Sequence, residues 1–497
     1  MKCINSKFKP TKRAKYILTL IIISITFIIS LYIMRCSFVY DNGLYYSSFP
    51  EISSSDRILI FAPHPDDESL GTGGIIQKAL EKNASVQVVM MTNGDDMNTT
   101  SFKYFLKSIN NSNYNGSIGD LRYNETLKAT SALGLSKNNI IFLGYPDNGL
   151  KSMLETNWDN DHLFKRTTGS NQYNHSPYSF SYEKNAPYSG SNVVKNIVQI
   201  MNDYKPTIII YPDDNDDHTD HFATGVFVKY AALQTGYNDQ NYTYLVHKGS
   251  SWPSPLLYQP TLGICFPCEF SAFDAHWFNS SLSTSEVTIK EKAIRSHKSQ
   301  YFLMKDILLS FVRTDEVFAT YPVIDVDKVG GIISIGADIP TSSYNDTKND
   351  ALTAFLKEPG GLLQQSDDLN AAGISYDDKN VYLFSQSDDV QDYLTYNFHL
   401  RLFNGTDFKQ LDITVMNGTV TYQGLAENSI KSEQPPSVKV ANGTIFVTVP
   451  MEHFNGTHSM MMSTDMVNPQ NNETLDYLAY RIFRFPENLE DTYSLRG

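Results

Sequence analysis

Cysteine is scarce in this sequence, with four residues among 497. Four cysteines are too few to form a disulfide framework for a chain of this length. Cys265 and Cys268 are the two that can pair easily, because they lie three positions apart. A lone C-x-x-C supplies half of the ligands of a structural zinc site and does not open a βαβ unit here. A local disulfide or two free thiols are therefore expected.

Basic residues are also fewer than acidic residues. The chain has 40 Lys and Arg against 54 Asp and Glu, which gives a net charge of -14 and a pI near 5.2. A nucleic-acid partner would need a basic face, so the charge balance argues against one. The composition, 41% hydrophobic and 12% aromatic, is ample for packed cores. It predicts a folded globular protein of two or three domains.

One long apolar run stands near the N-terminus. Residues 16–34 carry no charge, and their number is close to the ~20 residues that a helix needs to cross a bilayer. Arg35 closes the run, and six basic residues precede it: Lys2, Lys7, Lys9, Lys12, Arg13 and Lys15. The positive-inside rule then predicts a cytoplasmic N-terminus and places everything after Arg35 outside.

A cleaved signal peptide is the alternative interpretation of this run. The run is longer than an ordinary signal-peptide core, and Arg35 stands where small residues would mark a cleavage site. An uncleaved membrane anchor is therefore favoured. Fourteen N-x-S/T sequons fit an exported surface, but an Asn-rich chain produces many by chance, so they support the orientation only weakly.

Residues 56–322 alternate β-branched runs with amphipathic helical stretches, which is typical of parallel βαβ units. Predicted strands cover residues 58–62, 86–92, 140–143 and 207–211, and predicted helices cover 73–82, 124–133, 193–204 and 223–235. The expected fold class is α/β, with a Rossmann-like, mostly parallel sheet and helices on both of its faces.

Beyond residue 323 the sequence changes to short strands separated by Asn-Gly turns. Asn417-Gly418 and Asn442-Gly443 each read as a two-residue hairpin, and further strands are expected at 396–403 and 478–485. A C-terminal β-sandwich is the natural interpretation. It could bind carbohydrate or act as a spacer or packing domain, and the second role is slightly favoured.

The predicted organisation has five parts. These are a cytoplasmic basic tail at 1–15, a transmembrane helix at 16–34, a stem at 35–55, an α/β domain at 56–322 and a β-sandwich accessory domain at 323–497.

The first chemically suggestive motif follows the first predicted strand. Residues 58–62 lead directly into Pro63-His64-Pro65-Asp66-Asp67-Glu68. Ligands of open α/β sheets bind at the carboxyl ends of the strands, so a His and two Asp there can converge on one metal. The plain alternative is that Asp67 and Glu68 complement the dipole of the following helix.

A second motif occupies the equivalent strand end. Residues 207–211 lead into Pro212-Asp213-Asp214-Asn215-Asp216-Asp217-His218-Thr219-Asp220-His221. Two acidic, His-containing loops at two strand ends of one sheet favour a shared metal site. An EF-hand calcium loop fails, because His218 replaces the required Gly and Thr224 replaces the closing Glu.

These two motifs, with Arg122-x-x-Glu125 and the segment at 144–150, resemble the PIG-L or LmbE-like family of zinc-dependent N-acetylglucosaminyl deacetylases. The resemblance covers residues 56–322, and P-H-P-D-D-E followed by H-x-D-H is its most specific part. The Arg-x-x-Glu pair and residues 293–300 support it. About half of the chain lies outside it.

The resemblance implies a zinc ion held by His64, Asp67 and His221. Three nitrogen or oxygen ligands leave zinc an open position for water, as in catalytic sites. Zinc lowers the pKa of such a water to ~7, and Asp66 is implied as the general base that takes its proton. His218 is implied to stabilise the transition state as an imidazolium with Asp220 behind it.

Substrate contacts are implied for Arg122, which would clamp a sugar hydroxyl or phosphate, and for Asp147, which would hydrogen-bond the sugar. Arg122 and Glu125 could instead form a surface helical pair, and Asp147 could be an ordinary turn residue. His297 and Gln300 are predicted to pack the last helix, outside the site.

The resemblance and the charge pattern together predict an N-acetylglucosaminyl deacetylase on the outer side of the membrane. It would hydrolyse the acetamide of an N-acetylated glycan or glycolipid to a free amino sugar and acetate. Two alternatives stay open: an amidase acting on a small N-acetylated glycoconjugate, and a catalytically inactive surface protein whose sandwich binds glycans. The presence of all six implied metal-binding and catalytic residues counts against the second.

Overall fold

The computed structural model describes residues 19, 23–24, 26–27, 46–97, 99–111, 113–168, 171–249, 252–264, 275–329, 342–345, 369–387, 390–424 and 435–485. The chain divides into two compact units, Met1–Tyr46 and Ser47–Gly497. Five residues of the predicted anchor are described, and all are helical; the rest of 16–34, and all four cysteines, lie outside the described residues. Within the described ranges, no helix has both the length and the apolar character needed to cross a membrane.

The larger unit begins with an α/β region whose elements alternate along the chain. Its strands are β1 (Ser47–Ser48), β2 (Arg57–Ala62), β3 (Ser85–Thr92), β4 (Ile140–Tyr145), β5 (Arg166–Thr168), β6 (Asn171–Tyr173), β7 (Ile208–Pro212), β8 (Gln240–Tyr244), β9 (His276–Ser281) and β10 (Asp315–Thr320). Its helices are α1 (Asp67–Glu81), α2 (Thr99–Ser108), α3 (Ile118–Ala132), α4 (Leu150–Glu155), α5 (Gly190–Tyr204), α6 (Thr219–Thr235), α7 (Thr284–Ile294) and α8 (Lys298–Ser310).

Eight of these strands form one sheet in the order β1-β9-β10-β8-β7-β2-β3-β4. The strands from β8 to β4 run parallel, whereas β10 is antiparallel to both of its neighbours. Alternate side chains of β2 enter two different cores: Ile58 and Ile60 face α1, and Leu59 and Phe61 face α5 and α6. The prediction of an α/β sheet covered by helices on both faces is confirmed.

The helices begin earlier than predicted. Helix α1 begins at Asp67 rather than at residue 73, and α6 begins at Thr219 rather than at 223. Helix α3 begins at Ile118 rather than at 124, behind a capping box between Ser117 and Asp120. In each case the first turn is rich in polar residues or glycine, so it lacks the apolar periodicity from which the helices were predicted.

The sheet order places a topological switch point between β2 and β7. From β2 the chain passes to β3 on one side, and it returns later to β7 on the other side. The loops that leave the carboxyl ends of two such strands diverge and open a crevice, where α/β proteins bind their ligands. Both motif loops found in the sequence leave the sheet at this point.

The C-terminal region consists of β-strands that form two sheets. They are β11 (Ile324–Asp325), β12 (Asp327–Lys328), β13 (Ser342–Asn345), β14 (Leu369–Tyr376), β15 (Asn380–Ser387), β16 (Thr395–Phe403), β17 (Phe408–Met416), β18 (Thr419–Gln423), β19 (Ser437–Ala441), β20 (Thr444–Pro450), β21 (Ser459–Asn468) and β22 (Glu473–Arg484). One sheet has the order β11-β22-β21-β16-β17-β18, and the other has the order β12-β14-β15-β20-β19 with β13 beside β14.

Both predicted Asn-Gly hairpins are present. Asn417 and Gly418 join β17 to β18 with φ of 48° and 65°, and Asn442 and Gly443 join β19 to β20 with φ of 51° and 71°. Positive φ at both positions is the geometry that favours Asn-Gly in two-residue turns. Side chains of the two sheets meet in one core, for example Ile374 and Val447 with Leu400 and Ile413. The boundary at residue 323 stays a prediction.

A partly buried charge cluster lies around His399 of β16. His399 Nδ1 is 2.8 Å from Asp412 and its Nε2 is 3.3 Å from Asp465. Burial disfavours the charged ring, but the two carboxylates outweigh it and raise the pKa of His399 to about 10. Because an unfolded His has a pKa of about 6.5, the charged ring stabilises the folded state fully below that pH.

We predict that His399→Gln lowers the free energy of unfolding by about 1–2 kcal/mol at pH 6, because it removes the cation between two partly exposed carboxylates. The difference from the wild type should shrink as the pH rises from about 6.5 to about 10, where the folded ring loses its proton. Urea denaturation across this range measures it. His162→Gln, at an exposed position, is the control. A pH-independent difference at position 399 would contradict the ion-pair assignment.

Candidate active site

The first motif loop is folded around its own residues. Strand β2 ends at Ala62, and α1 begins at Asp67. The backbone N–H of His64 donates to Asp67 Oδ2 at 2.9 Å, and the backbone N–H of Asp67 donates to the His64 carbonyl. This tight turn brings His64 Nδ1 to 3.4 Å from Asp67 Oδ2.

The second loop brings His221 to the same carboxylate. His221 lies in the first turn of α6, fully buried, and its Nε2 is 3.1 Å from Asp67 Oδ2. Its Nδ1 is 3.2 Å from Asp216 Oδ2, although neither ring nitrogen makes a hydrogen bond of good geometry within the described part of the chain. Asp67 Oδ2 therefore lies between two histidines that come from two different strand ends.

These donors fit a metal ion. Ligand atoms about 2.1 Å from a tetrahedral ion are about 3.4 Å apart, close to the separations of Asp67 from His64 and His221. One ring nitrogen from each of His64, His218 and His221 also lies within 4.8 Å of the other two. Two imidazoles and one carboxylate suit zinc well, with room for a further ligand. The roles of the three residues as ligands stay a prediction.

Asp66 stands beside this cluster in a strained conformation. Its φ is 137° and its ψ is -28°, a backbone region that non-glycine residues rarely adopt. Such strain is often found at functional sites, where the surroundings enforce it. Burial raises the pKa of Asp66 to about 7, against the opposing charge of Arg122. The carboxyl is thus poised near neutral pH, as a general base should be.

Arg122 is buried and holds this loop. Its guanidinium donates to the carbonyls of Pro65 and Gly94 at 2.6 and 2.8 Å, and it is 3.5 Å from the carboxylate of Asp66. Gly94 has a φ of +57°, and any side chain there would collide with the guanidinium. The alternative of a surface pair with Glu125 is wrong, because both residues are buried. A direct contact between Arg122 and substrate stays a prediction.

Asp220 does not lie behind His218 as predicted. Its Oδ2 is 3.1 Å from His64 Nε2, and its carboxylate accepts hydrogen bonds from the backbone N–H groups of Asn148 and Leu150. The reason is the position of the turn that leads into α4, where the N–H groups of Asn148 and of Leu150, the first residue of α4, both point at this carboxylate. Asp220 therefore orients His64 rather than His218.

The structure favours a neutral ring at His218, and the predicted role of this residue stays a prediction. Burial and the nearby His64, His221 and His247 lower the pKa of His218 to about 3. Its Nδ1 accepts a hydrogen bond from the backbone N–H of Asp220, which caps α6. Because Nδ1 is the acceptor, the proton of the neutral ring is on Nε2.

Asp147 belongs to the site. Its Oδ1 is 3.2 Å from His64 Nε2, and its Oδ2 accepts a hydrogen bond from the backbone N–H of Asp96. Burial opposes ionisation, but the charge of His64 holds the pKa of Asp147 well below its usual range. The alternative of a plain turn residue is therefore wrong, whereas a hydrogen bond to substrate stays a prediction.

Sequence reasoning missed His247. This residue follows β8, which runs beside β7, and its ring centroid is 4.7 Å from that of His221. Asp67, His221 and His247 offer ligand atoms within 4.8 Å of one another. Had β8 been recognised as the next parallel strand, a His after its carboxyl end would have been a candidate.

His297, which was predicted to pack the last helix outside the site, contacts the turn that carries Asp66. Its Nε2 is 3.0 Å from Glu68 Oε1, and Glu68 Oε2 accepts the backbone N–H of Asp66. His297 therefore supports the turn that carries Asp66. Glu125 of α3 accepts hydrogen bonds from the backbone N–H and the hydroxyl of Ser299, the second residue of α8. Because Arg122, also on α3, donates to the carbonyl of Pro65, α3 connects α8 to the turn that carries Asp66.

Residues of the C-terminal sandwich stabilise the acidic loop after β7. Lys229 Nζ, on α6, donates to Asp214 Oδ1 at 2.7 Å and to the carbonyl of Tyr480 on β22 at 2.9 Å. The guanidinium of Arg481 lies 4.0 Å from the centre of the Tyr321 ring, and the hydroxyl of Tyr321 donates to Asp213. One strand of the sandwich thus contacts the residues that hold the metal-site loop.

A histidine and carboxylate cluster at the switch point of an α/β sheet defines the class of this site, a candidate metal centre. Residues 59–232 match the PIG-L family, described as GlcNAc-PI de-N-acetylase. The chain therefore carries a domain of the PIG-L family, as the two motifs predicted.

Two sequence relatives are the 1D-myo-inositol 2-acetamido-2-deoxy-alpha-D-glucopyranoside deacetylases of Mycobacterium sp. strains KMS and JLS. Each is 28% identical over 171 residues, which is 34% of this chain and 47% of the relative. The chain thus spans about half the length of these relatives. A similar solved structure is N,N'-diacetylchitobiose deacetylase from Pyrococcus horikoshii, at 18% identity and a TM-score of 0.34, covering 57% of this chain and 90% of that one.

We predict that Lys229→Met destabilises the metal-free protein by about 3–5 kcal/mol, because it leaves the buried carboxylate of Asp214 unpaired. Chemical denaturation measures the change. Lys195→Met is the matched control: Lys195 pairs with Glu183 at 3.0 Å on the surface, so its loss should cost less than about 1 kcal/mol. Equal effects of the two substitutions would show that Lys229 does not hold the loop.

Proposed function

We propose that this protein is a zinc-dependent hydrolase that removes the acetyl group from an N-acetylated sugar, as an N-acetylglucosaminyl deacetylase. The observation that carries the proposal is the position of Asp67 Oδ2, which is 3.4 Å from His64 Nδ1 and 3.1 Å from His221 Nε2, next to Asp66 with its strained backbone. The products would be acetate and a free amino sugar.

The family description and the names of the two mycobacterial relatives support this substrate class, since both refer to removal of an acetyl group from an acetamido sugar. The matched region contains the strand ends that carry His64, Asp67 and His221. The family match covers residues 59–232 and does not include the C-terminal sandwich. The particular glycan or glycolipid is therefore part of the proposal.

Zinc would be held by His64, Asp67 and His221. When bound, it would lower the pKa of a water and polarise the acetamide carbonyl. Asp220 and Asp147 both lie at His64 Nε2, and they orient the ring so that Nδ1 faces Asp67. Outer carboxylates that fix a ligand histidine in this way raise its basicity as a ligand.

Asp66 is the group that moves the proton. A carboxylate with a pKa of about 7 can take a proton from the attacking water and return it to the departing sugar nitrogen. Its strained backbone and the guanidinium of Arg122 hold it in place. Returning the proton completes the cleavage of the C–N bond, because an amine leaves more readily than an amide anion.

His218 acts as a neutral hydrogen-bond donor in this scheme. Its Nδ1 accepts from the Asp220 backbone, so its Nε2–H is available to the carbonyl oxygen as negative charge develops there. The low pKa of His218 suits this role. It means that the ring is neutral near pH 7 and carries a single proton, on Nε2, which it shares in a hydrogen bond without transferring it.

The location of the catalytic domain is a separate proposal. The basic residues before the apolar run at 16–34 support a cytoplasmic N-terminus, a membrane anchor and an extracytoplasmic domain. The substrate would then be an exported glycan or an envelope glycolipid.

We predict that Asp66→Asn lowers acetate release from N-acetylglucosamine oligomers by roughly 10²–10⁴-fold, because the amide cannot take a proton. Full-length protein in detergent is assayed with zinc and with a chelator, and bound zinc is measured by elemental analysis. The variant should keep its zinc, whereas His64→Ala should lose it. Asp96→Asn, at a more exposed position on the same edge of the sheet, is the matched control and should stay active.

Acetate release that survives the chelator would contradict the zinc mechanism. Full activity of Asp66→Asn would remove Asp66 as the general base. A fully zinc-loaded wild-type protein that releases no acetate from any N-acetylated sugar would overturn the proposed function itself.

For the location, we predict that a reporter enzyme active only outside the cytoplasm is active when fused after Gly497. Changing Lys12, Arg13 and Lys15 to Glu should reduce that activity, because it weakens the charge bias that orients the helix. Activity of a reporter that works only in the cytoplasm, at the same position, would contradict the orientation.

A further inference from the structure

His247 lies just beyond the end of a strand, beside the candidate metal centre. Strand β8 ends at Tyr244 and runs parallel to β7, whose own end leads into the loop that carries His221. The carboxyl ends of neighbouring parallel strands meet at one edge of a sheet, where α/β proteins bind their ligands. A side chain that follows β8 therefore belongs to the same edge as the two motif loops.

The ring of His247 is close to two of the predicted zinc ligands. Asp67, His221 and His247 each offer one ligand atom, and these three atoms lie within 4.8 Å of one another. Ligand atoms about 2.1 Å from one ion are about 3.4 Å apart in a tetrahedral arrangement and at most about 4.2 Å apart in any arrangement. Modest rotations of the side chains are therefore enough to bring all three to one ion.

The loop that carries His221 also holds the backbone of His247. The N–H of His247 donates to Asp216 Oδ2 at 2.9 Å, and its carbonyl accepts a hydrogen bond from the N–H of Asp217 at 2.9 Å. The same Asp216 oxygen is 3.2 Å from His221 Nδ1. One carboxylate thus orients a predicted ligand and fixes the backbone of His247, as the outer residues of metal sites commonly do.

The imidazole of His247 is available for a ligand. It is half-buried, and within the described residues neither of its ring nitrogens makes a hydrogen bond. His218 also lies close to the predicted ligands, but its Nδ1 already accepts the backbone N–H of Asp220 and caps α6. Of these two neighbouring histidines, His247 is therefore the better candidate to bind the ion.

A further imidazole also suits the charge of this site. Asp66, Asp67, Asp147 and Asp216 are all buried, so another carboxylate ligand would add repulsion at an edge that is already acidic. A neutral imidazole contributes a lone pair and no charge. Imidazole is moreover a preferred ligand of zinc, and catalytic zinc sites can expand to five ligands.

We propose that His247 is a fourth protein ligand of the metal ion, beside His64, Asp67 and His221. The ion would then have three imidazole ligands and one carboxylate ligand, and a fifth position would stay open for water or substrate. This inference rests on the proposed function, because that function supplies the zinc. It goes beyond the family resemblance, which implies three protein ligands.

Zinc affinity tests the proposal without any turnover. His247→Ala and His218→Asn are made in the full-length protein in detergent, and zinc dissociation constants are measured by competition with a chromogenic chelator. His218→Asn is the matched control, because it removes a neighbouring imidazole and keeps a side chain that can cap α6. We expect His247→Ala to weaken zinc binding at least about tenfold. His218→Asn should leave it nearly unchanged.

X-ray absorption at the zinc edge separates a ligand from a residue that only positions one. Imidazole ligands give a characteristic multiple-scattering signal, which grows with their number. We expect three imidazoles in the wild-type protein and two in His247→Ala. Two imidazoles in the wild type would overturn the proposal, and this result needs no variant. Unchanged zinc affinity in His247→Ala, or weaker binding with an unchanged imidazole signal, would overturn it as well.

The outcome is separable from that of the proposed function. Acetate release is measured in the same zinc-loaded wild-type protein as the X-ray absorption. Three imidazoles on zinc without acetate release from any N-acetylated sugar would contradict the deacetylase and keep His247 as a ligand. Acetate release by a protein whose zinc has two imidazoles would keep the deacetylase and remove His247 from the ligands.

Discussion

The structure depends on the burial of many carboxylates at one edge of the sheet. Asp66, Asp67, Asp147, Asp213, Asp214, Asp216 and Asp220 are all less than 10% exposed. A buried carboxylate is costly unless it is paired or binds a metal. The partners are of three kinds: buried cations such as Arg122 and Lys229, the site histidines, and backbone N–H groups such as those that reach Asp220. A zinc ion is a further cation that this excess of negative charge would stabilise.

This constraint explains which parts of the site could be predicted from the sequence. The meeting of the two motif loops could be predicted because they follow two recognisable strands, and equivalent ends of parallel strands meet at one edge. The choice of His64, Asp67 and His221 as ligands came from the family resemblance and stays a prediction. His247 was missed because Gln240–Tyr244 was not recognised as a strand, although it runs parallel to β7. The support that His297 gives to the Asp66 turn depends on a contact across 229 residues, which no local pattern contains.

The fold, like the site, was predicted in part. The βαβ alternation and the two Asn-Gly hairpins follow from local rules, and the structure has them. The helix starts were displaced because periodicity is visible only where apolar residues recur, and the first turns of α1 and α6 carry the polar residues of the site instead. The role given to Asp220 failed for a related reason. Sequence adjacency suggested His218 as its partner, whereas the first turn of α4 draws its carboxylate towards His64.

The sandwich is more than a spacer in this arrangement. Met461 and Tyr480 of the sandwich belong to the same buried cluster as Phe227 and Tyr230 of α6. The first turn of α6 carries His221, so the surface that the sandwich covers lies on the helix that positions a candidate metal ligand. Removing the sandwich would expose the apolar side of α6 and leave Lys229 without the carbonyl of Tyr480. Packing from both β21 and β22 therefore stabilises the helix that carries His221.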